Sequence, residues 1–199
     1  VKARRYRWFS YLTSSWLEVA WYPPSTFPAR KVTILETVDI AIASVVIGSC
    51  ATAFMDMFAW LQKYLFKTPS LNYAFVGRWI IGLQNGQFFH NSILQSPPRR
   101  YERTIGWLAH YATGVFFVLM MLTVMGTDWY LAPNLVNPLV IGLLSLCAPF
   151  FVMQPALGFG VAASKTPTPW VARRRSLVAH LSFGIGIYLA GIVRAQFHP

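Results

Sequence analysis

Acid is scarce in this chain: Glu18, Glu36, Asp39, Asp56, Glu102 and Asp128 are its only carboxylate side chains in 199 residues, and they are scattered. Paired-carboxylate catalysis lacks its second carboxylate, and no acidic cluster suits magnesium. Cys50 and Cys147 are the only two cysteines, both inside apolar stretches and without Cys-x-x-Cys spacing. They are expected as small packing residues and say nothing about redox compartment. A phosphate-cradling Gly-Lys-Ser/Thr loop, a Gly-x-Ser-x-Gly elbow and a His-Glu-x-x-His helix are also missing, which argues against hydrolysis, phosphoryl transfer and a resident metal. Charged residues make up 12% of the chain, half the share of about 25% usual in soluble domains.

What is present is hydrocarbon. Hydrophobic residues account for 55% of the sequence and the mean hydropathy is +0.45, the composition of an all-α integral membrane protein. Four stretches, 38–61, 105–125, 135–161 and 177–193, approach or exceed the roughly 20 helical residues needed to cross about 30 Å of hydrocarbon. The fourth is short, and Tyr188 and Arg194 supply an interfacial end for it. The third holds Pro138, Pro149 and Pro155 with Gly142, Gly158 and Gly160, so a kinked helix is expected, its freed carbonyls satisfied by neighbours.

The formal net charge of +11 does not indicate a nucleic-acid partner, because the basic residues cluster beside apolar spans. Lys63, Lys67, Arg78, Arg99, Arg100 and Arg103 lie between the first two spans, and Lys165 with Arg173, Arg174 and Arg175 between the last two. Both loops are expected on the cytoplasmic side. Four spans then leave both termini outside, in conflict with the basic Lys2, Arg4, Arg5, Arg7, Arg30 and Lys31. A fifth crossing through 73–94 would remove the conflict, but it would bury Arg78, Gln84, Asn85, Gln87, His90 and Asn91. A central Arg alone costs up to about 3 kcal/mol, so a re-entrant or interfacial segment near 70–96 is expected instead.

Residues 1–37 form a separate arm. Trp8, Leu12, Trp16 and Val19 recur at helical spacing after a basic start, and Pro23-Pro24 breaks the pattern. This predicts an interfacial amphipathic helix, suited to docking a partner subunit, ahead of a four-span membrane domain at 38–199.

That domain reads as one helix pair written twice. Met55-Asp56 to Lys67-Thr68-Pro69 is echoed by Met153-Gln154 to Lys165-Thr166-Pro167 at an offset of 98. Leu108-Ala109-His110-x-x-x-Gly114 is echoed by Val178-Ala179-His180-x-x-x-Gly184 at an offset of 70, so the first copy carries about 28 extra residues. Two pseudo-symmetric helix pairs are expected, with Gln154 standing where the first copy has Asp56 and with His110 and His180 equivalent. Gly106, Gly114, Gly184, Gly186 and Gly191 allow close helix approach.

Asp56, Gln154, His110 and His180 are the groups that hydrocarbon makes expensive, and three uses are open to them. They can specify packing as a polar core, relay protons, or, through His110 and His180, ligate a haem or (bacterio)chlorophyll. Arg78, Trp79 and His90 in the inserted segment suit a cytoplasmic mouth, contacts with lipid head groups, or an interfacial cover over the bundle.

Met55-Asp56, Asn72-Tyr73-Ala74-x-Val76-Gly77-Arg78-Trp79, Gly106-Trp107-Leu108-Ala109-His110-Tyr111, Pro149-Phe150-Phe151-x-Met153-Gln154-Pro155 and Ala162-Ala163-Ser164-Lys165-Thr166-Pro167 together resemble domain-of-unknown-function family 2938, over about residues 40–195. The resemblance implies a small multi-span protein of the bacterial inner membrane and carries no catalytic residue with it. Gln84-Asn85-Gly86-Gln87 departs from the family's more basic turn, which weighs against anion binding there. The expectation is a non-enzymatic accessory or scaffold subunit of a larger inner-membrane complex, with energy-converting assemblies among the options, whose partners are the bilayer and other membrane subunits. The alternatives are a small proton-coupled transporter using Asp56 and His110, and haem or chlorophyll binding through the two histidines.

Overall fold

A computed structural model describes residues 34–67, 71–126, 129 and 132–197. The amphipathic arm expected at 1–37 lies, up to residue 33, outside the described residues, as do Thr68-Pro69-Ser70 and Asp128.

Five helices carry the structure: α1 (Ile34–Phe66), α2 (Tyr73–Leu83), α3 (Glu102–Met125), α4 (Val136–Ser145, continued by a π-helical stretch Ala148–Met153 and a last turn Gln154–Ala156) and α5 (Pro169–Phe197). No strand occurs among the described residues. Glu36–Phe66, Glu102–Met125, Val136–Ala156 and Pro169–Phe197 are each long and apolar enough to cross a membrane, the architecture of a membrane protein. The 11 residues of α2 reach only about 16 Å, so it is no fifth crossing.

Local chemistry explains where the helices depart from the hydrophobic runs. α1 continues past residue 61 because Gln62, Lys63 and Tyr64 are helix-compatible and Lys63 sits in the last turn, where a cation suits the helix dipole. α5 starts at Pro169, eight residues before the predicted span, because proline is tolerated at a first helical position and three arginines end no helix. α4 stops at Ala156 rather than at residue 161, since Gly158 and Gly160 take φ of 89° and 74°. The expected kink is a π turn: Pro149 offers no N–H, and the Gln154 N–H reaches back five residues to the Pro149 carbonyl.

α1 is flanked by α3 and α5; α5 also packs on α4, which touches α3 more lightly, and α2 lies along α3. Ile40, Ile47 and Ala51 of α1 meet Val118 and Leu122 of α3 and Phe183 and Ile187 of α5 in the main core. Trp129 closes that end of the bundle over Gly191, where a methyl group would stand 2.6 Å from the indole ring. Asp39 at the start of α1 and Arg194 near the end of α5 form an ion pair at 2.6 Å there. The cysteines correct an expectation. Cys50 and Cys147 are both exposed on outward helix faces instead of packing inside, as apolar thiols can be where the surroundings are themselves apolar.

Candidate functional site

Ser44, Gly48, Thr52 and Asp56 recur every four residues and so form one stripe along α1. The hydroxyls above Asp56 are quieted by their own helix: Ser44 Oγ donates to the Ile40 carbonyl at 2.7 Å and Thr52 Oγ1 to the Gly48 carbonyl at 2.8 Å. Gly106, His110, Gly114 and Val118 make the facing stripe on α3. The glycines let the stripes meet closely; a methyl on Gly48 would stand 2.7 Å from the Val115 Cα. With Gly48 opposite Val115, two turns further along α1 brings Asp56 opposite His110. The structure thus brings Asp56 and His110 face to face.

His110 Nε2 lies 3.1 Å from Asp56 Oδ1. A third group completes the site: the Tyr73 hydroxyl is 3.3 Å from the same Oδ1 and 3.0 Å from the same Nε2. The Tyr73 and His110 rings stack with centroids 4.2 Å apart, and Trp107 covers the tyrosine at 4.6 Å. Burial, then the neighbouring Asp56 carboxylate, push the Tyr73 phenol well above its ordinary range. Tyr73 therefore stays protonated and serves as a donor. Asp56 Oδ2 is buried without a hydrogen-bond partner among the described residues. Three heavy atoms in mutual contact allow a proton to reside on Asp56 or on His110 with little rearrangement, the requirement for a proton-handling pair.

Tyr73 is placed by α2. Asn72 caps that helix, its side chain accepting from the Ala74 N–H at 3.1 Å. Gly77 then lies against Glu102, and Gly106 against Tyr73, backbone to backbone, so α2 runs antiparallel to the start of α3. Arg78 locks the arrangement. Its Nε and Nη2 grip both oxygens of Glu102 at 2.7 and 2.9 Å, while Nη1 donates to the carbonyls of Ile93 and Ser96 at 3.1 and 2.6 Å. Hydrogen bonding to Glu102 holds the guanidinium above its usual pKa despite burial.

The second helix pair has a different register. Gly142 lies against the His180 carbonyl and Gly184 against Pro138. His180 Nδ1 therefore meets Ser145 Oγ, at 2.6 Å, nine residues before Gln154. Because Ser145 Oγ donates its only proton to the Gly142 carbonyl at 2.7 Å, His180 Nδ1 carries a proton and donates to Oγ. The pairing of Gln154 with His180 drawn from the repeat does not form. Gln154 is buried near the end of α4, its Oε1 without a hydrogen-bond partner among the described residues. His180 does lie within electrostatic reach of His110, so three of the four expected polar residues stand in one region.

The inserted segment turns its polar groups on the protein. Arg78 is bound as above, and Trp79 Nε1 donates to the Phe88 carbonyl at 2.9 Å. His90 is buried, its Nδ1 3.0 Å from Ser96 Oγ and 3.2 Å from Gln87 Nε2. Desolvation, then the Arg78 charge, pull the His90 imidazole below its ordinary pKa. An open hollow of about 370 Å³ lies beside it, lined by Gln87, Asn91, Ser92 and Gln95 among others. The backbone N–H groups of His90 and Ile93 bind the carbonyls of Ala156 and Leu157, fastening this segment to the end of α4. A head-group contact by Arg78 is replaced by Glu102, because a buried guanidinium needs a carboxylate more than the surface needs its charge.

Residues 45–194 match the family described as Protein of unknown function (DUF2938). The chain belongs to this family. No curated protein and no solved structure matches it. Within the DUF2938 region fall all of Asp56, Tyr73, His110, Ser145, Gln154 and His180. Among the described residues no group of three or more His, Cys, Asp or Glu side chains is placed to hold a metal ion. Paired ligation of a macrocycle by His110 and His180 fits poorly, since His110 Nε2 is held by Asp56 and Tyr73.

Sequence reasoning did not connect Tyr73 with Asp56 and His110, Glu102 with Arg78, or Ser145 with His180. Tyr73 had a signal, lying in Asn72-Tyr73, a helix cap followed at once by an aromatic hydroxyl. Ser145 had none, because its role depends on the register between α4 and α5.

Proposed function

We propose that the chain is a small proton-coupled transporter of a bacterial inner membrane, with Asp56, His110 and Tyr73 as its proton-binding centre and His180 as a neighbouring station. One observation carries this reading: an acid, an imidazole and a phenol in mutual contact within 3.3 Å, ten residues from the end of a membrane-length helix. Ten residues correspond to about 15 Å of depth, where an ionisable group is expensive and marks a pathway. α2 supports it as a re-entrant element whose first residue enters the polar site from the basic, cytoplasmic side. The pairing of α1 with α3 and of α4 with α5 supports a duplicated helix pair, the second slid by about two and a half turns relative to the first.

Acid pulses applied to proteoliposomes with a lumenal pH dye test the proposal. The native chain is expected to admit protons faster than empty vesicles do, and Asp56→Asn and His110→Gln to fall to the empty-vesicle rate. Native rates in both variants would end it.

A second reading, an accessory subunit of a larger complex, draws on the far end of α1. Trp60 and Tyr64 stack at 5.8 Å and stand exposed with Leu65 and Phe66, an aromatic edge suited to a partner helix. Copurification of a stoichiometric partner that is lost in Trp60→Ala would favour it.

A further inference from the structure

We infer that the Asp56 site takes a lipophilic organic cation, which reaches it from the bilayer beside Trp107 and exchanges there for the proton. This rests on the proton-handling reading above and names the substrate class of that site.

The chemistry around Asp56 decides the class. Among the described residues, Asp56 Oδ2 is buried without a hydrogen-bond partner. Around the carboxylate the ring contacts run continuously: Tyr73 to Trp107 at 4.6 Å, Trp107 to His110 at 6.0 Å, Trp107 to Tyr111 at 6.3 Å and His110 to Tyr111 at 5.7 Å. A carboxylate bordered by aromatic side chains, which meet it through Tyr73 Oη and His110 Nε2, suits a positive charge carried on an apolar body. A hard metal ion is a poor occupant, since such ions take six or more oxygens and among the described residues no metal-ligating group of three gathers here. An anion would meet the same carboxylate and be repelled.

Among the described residues, His110 is the ion-pair partner of Asp56, and Arg78 is occupied by Glu102. Trp107 supplies the entrance. It is 41% exposed on the outer surface of α3, while its ring covers Tyr73, so rotation of one indole opens the site sideways without an aqueous pore. The charged and titratable groups facing Asp56 are Tyr73 from α2, His110 and Tyr111 from α3, and His180 from α5 behind His110. Tyr73 stays protonated, so the exchangeable proton is the one shared by Asp56 and His110. A monovalent organic cation that binds Asp56 displaces that proton to bulk water. The site then holds one positive charge at a time, so the proton and the organic cation exclude each other there.

Equilibrium dialysis of labelled tetraphenylphosphonium against the full chain in mild detergent, with a pH indicator in weak buffer, tests the inference. Expected are one proton released per ion bound and an affinity that rises about tenfold per pH unit while the pair is protonated. Asp56→Asn should abolish binding, and Trp107→Ala should weaken it. Because either variant can perturb folding, Trp107→Phe serves as a second arm, expected to melt like the native chain and to keep measurable binding. Absence of binding to the native chain, binding unchanged by Asp56→Asn, or binding without proton release would each overturn the inference. If Asp56-dependent proton entry survives in the acid-pulse assay while tetraphenylphosphonium fails to bind, the substrate class falls and the proton centre stands. Loss of both removes both.

Discussion

Gly77 and Gly106 bring α2 and α3 into backbone contact: a methyl group on Gly106 would stand 3.2 Å from the Gly77 nitrogen and closer still to the Tyr73 carbonyl. This contact sets the depth at which Tyr73 reaches Asp56 and His110. Gly106→Ala is expected to push α2 outward, lowering stability by about 1–3 kcal/mol as overpacking does. Thermal unfolding in detergent measures this. The proton rate in vesicles should fall with it, because the Tyr73 hydroxyl is drawn away from the pair.

Tyr73→Phe separates position from chemistry. The ring keeps its stack on His110 at 4.2 Å, so the melting temperature should change little, by the equivalent of about 1 kcal/mol for one hydrogen bond. Proton transfer should slow by about tenfold, as expected when a hydrogen bond of about 1.4 kcal/mol that orients the Asp56–His110 pair is lost. A native rate in Tyr73→Phe would show that the hydroxyl only packs.

Arg78 and Glu102 make a bidentate, buried pair with side-chain exposures of 8% and 14%. Glu102→Gln leaves the guanidinium buried without a countercharge and is expected to destabilise the protein by about 3–5 kcal/mol. The double variant Arg78→Met with Glu102→Leu should recover much of that loss, because both desolvation penalties disappear together. Comparing the three melts tests whether the pair is a clamp.

His90 gives a pH signature. Its folded-state pKa lies below the ordinary value of 6.5, so on acidification the unfolded chain binds a proton before the folded one does. Stability should therefore decline as pH falls below about 6.5 and level off beneath the lowered pKa, while at neutral pH it is unaffected. His90→Gln should flatten the slope in that window. Melting temperatures between pH 7.5 and 5 would show whether it does.

Much of this was legible in the residues. Four apolar runs became four membrane-length helices, because a 20-residue hydrocarbon surface has few other ways to satisfy its backbone. Asp56 and His110 were legible as candidates because each is expensive where it stands. Their contact follows from two four-residue stripes, which sequence spacing shows, and from the register between helices, which it does not. The repeat misled on this point: it matched Gln154 to Asp56 and so predicted a partner for His180, but α4 slid along α5 until Ser145 took that place. Arg78 was read as lining a cytoplasmic mouth or contacting lipid head groups. Glu102 lies 24 residues away in sequence and becomes its neighbour only when α2 folds back on α3.

Composition and periodicity by themselves determined the class of the protein, the number of its long helices, and the short set of polar residues worth following into the bundle. These depend on local free energies, the transfer of side chains to an apolar medium and the pairing of backbone groups within one helix. Tertiary structure alone decided which polar residues meet. Helix register depends on where glycine permits backbone contact, at Gly48, Gly77, Gly106, Gly142 and Gly184, and on whether each facing surface is small enough to accept it. That choice placed Tyr73 between Asp56 and His110 and left Gln154 at the end of α4.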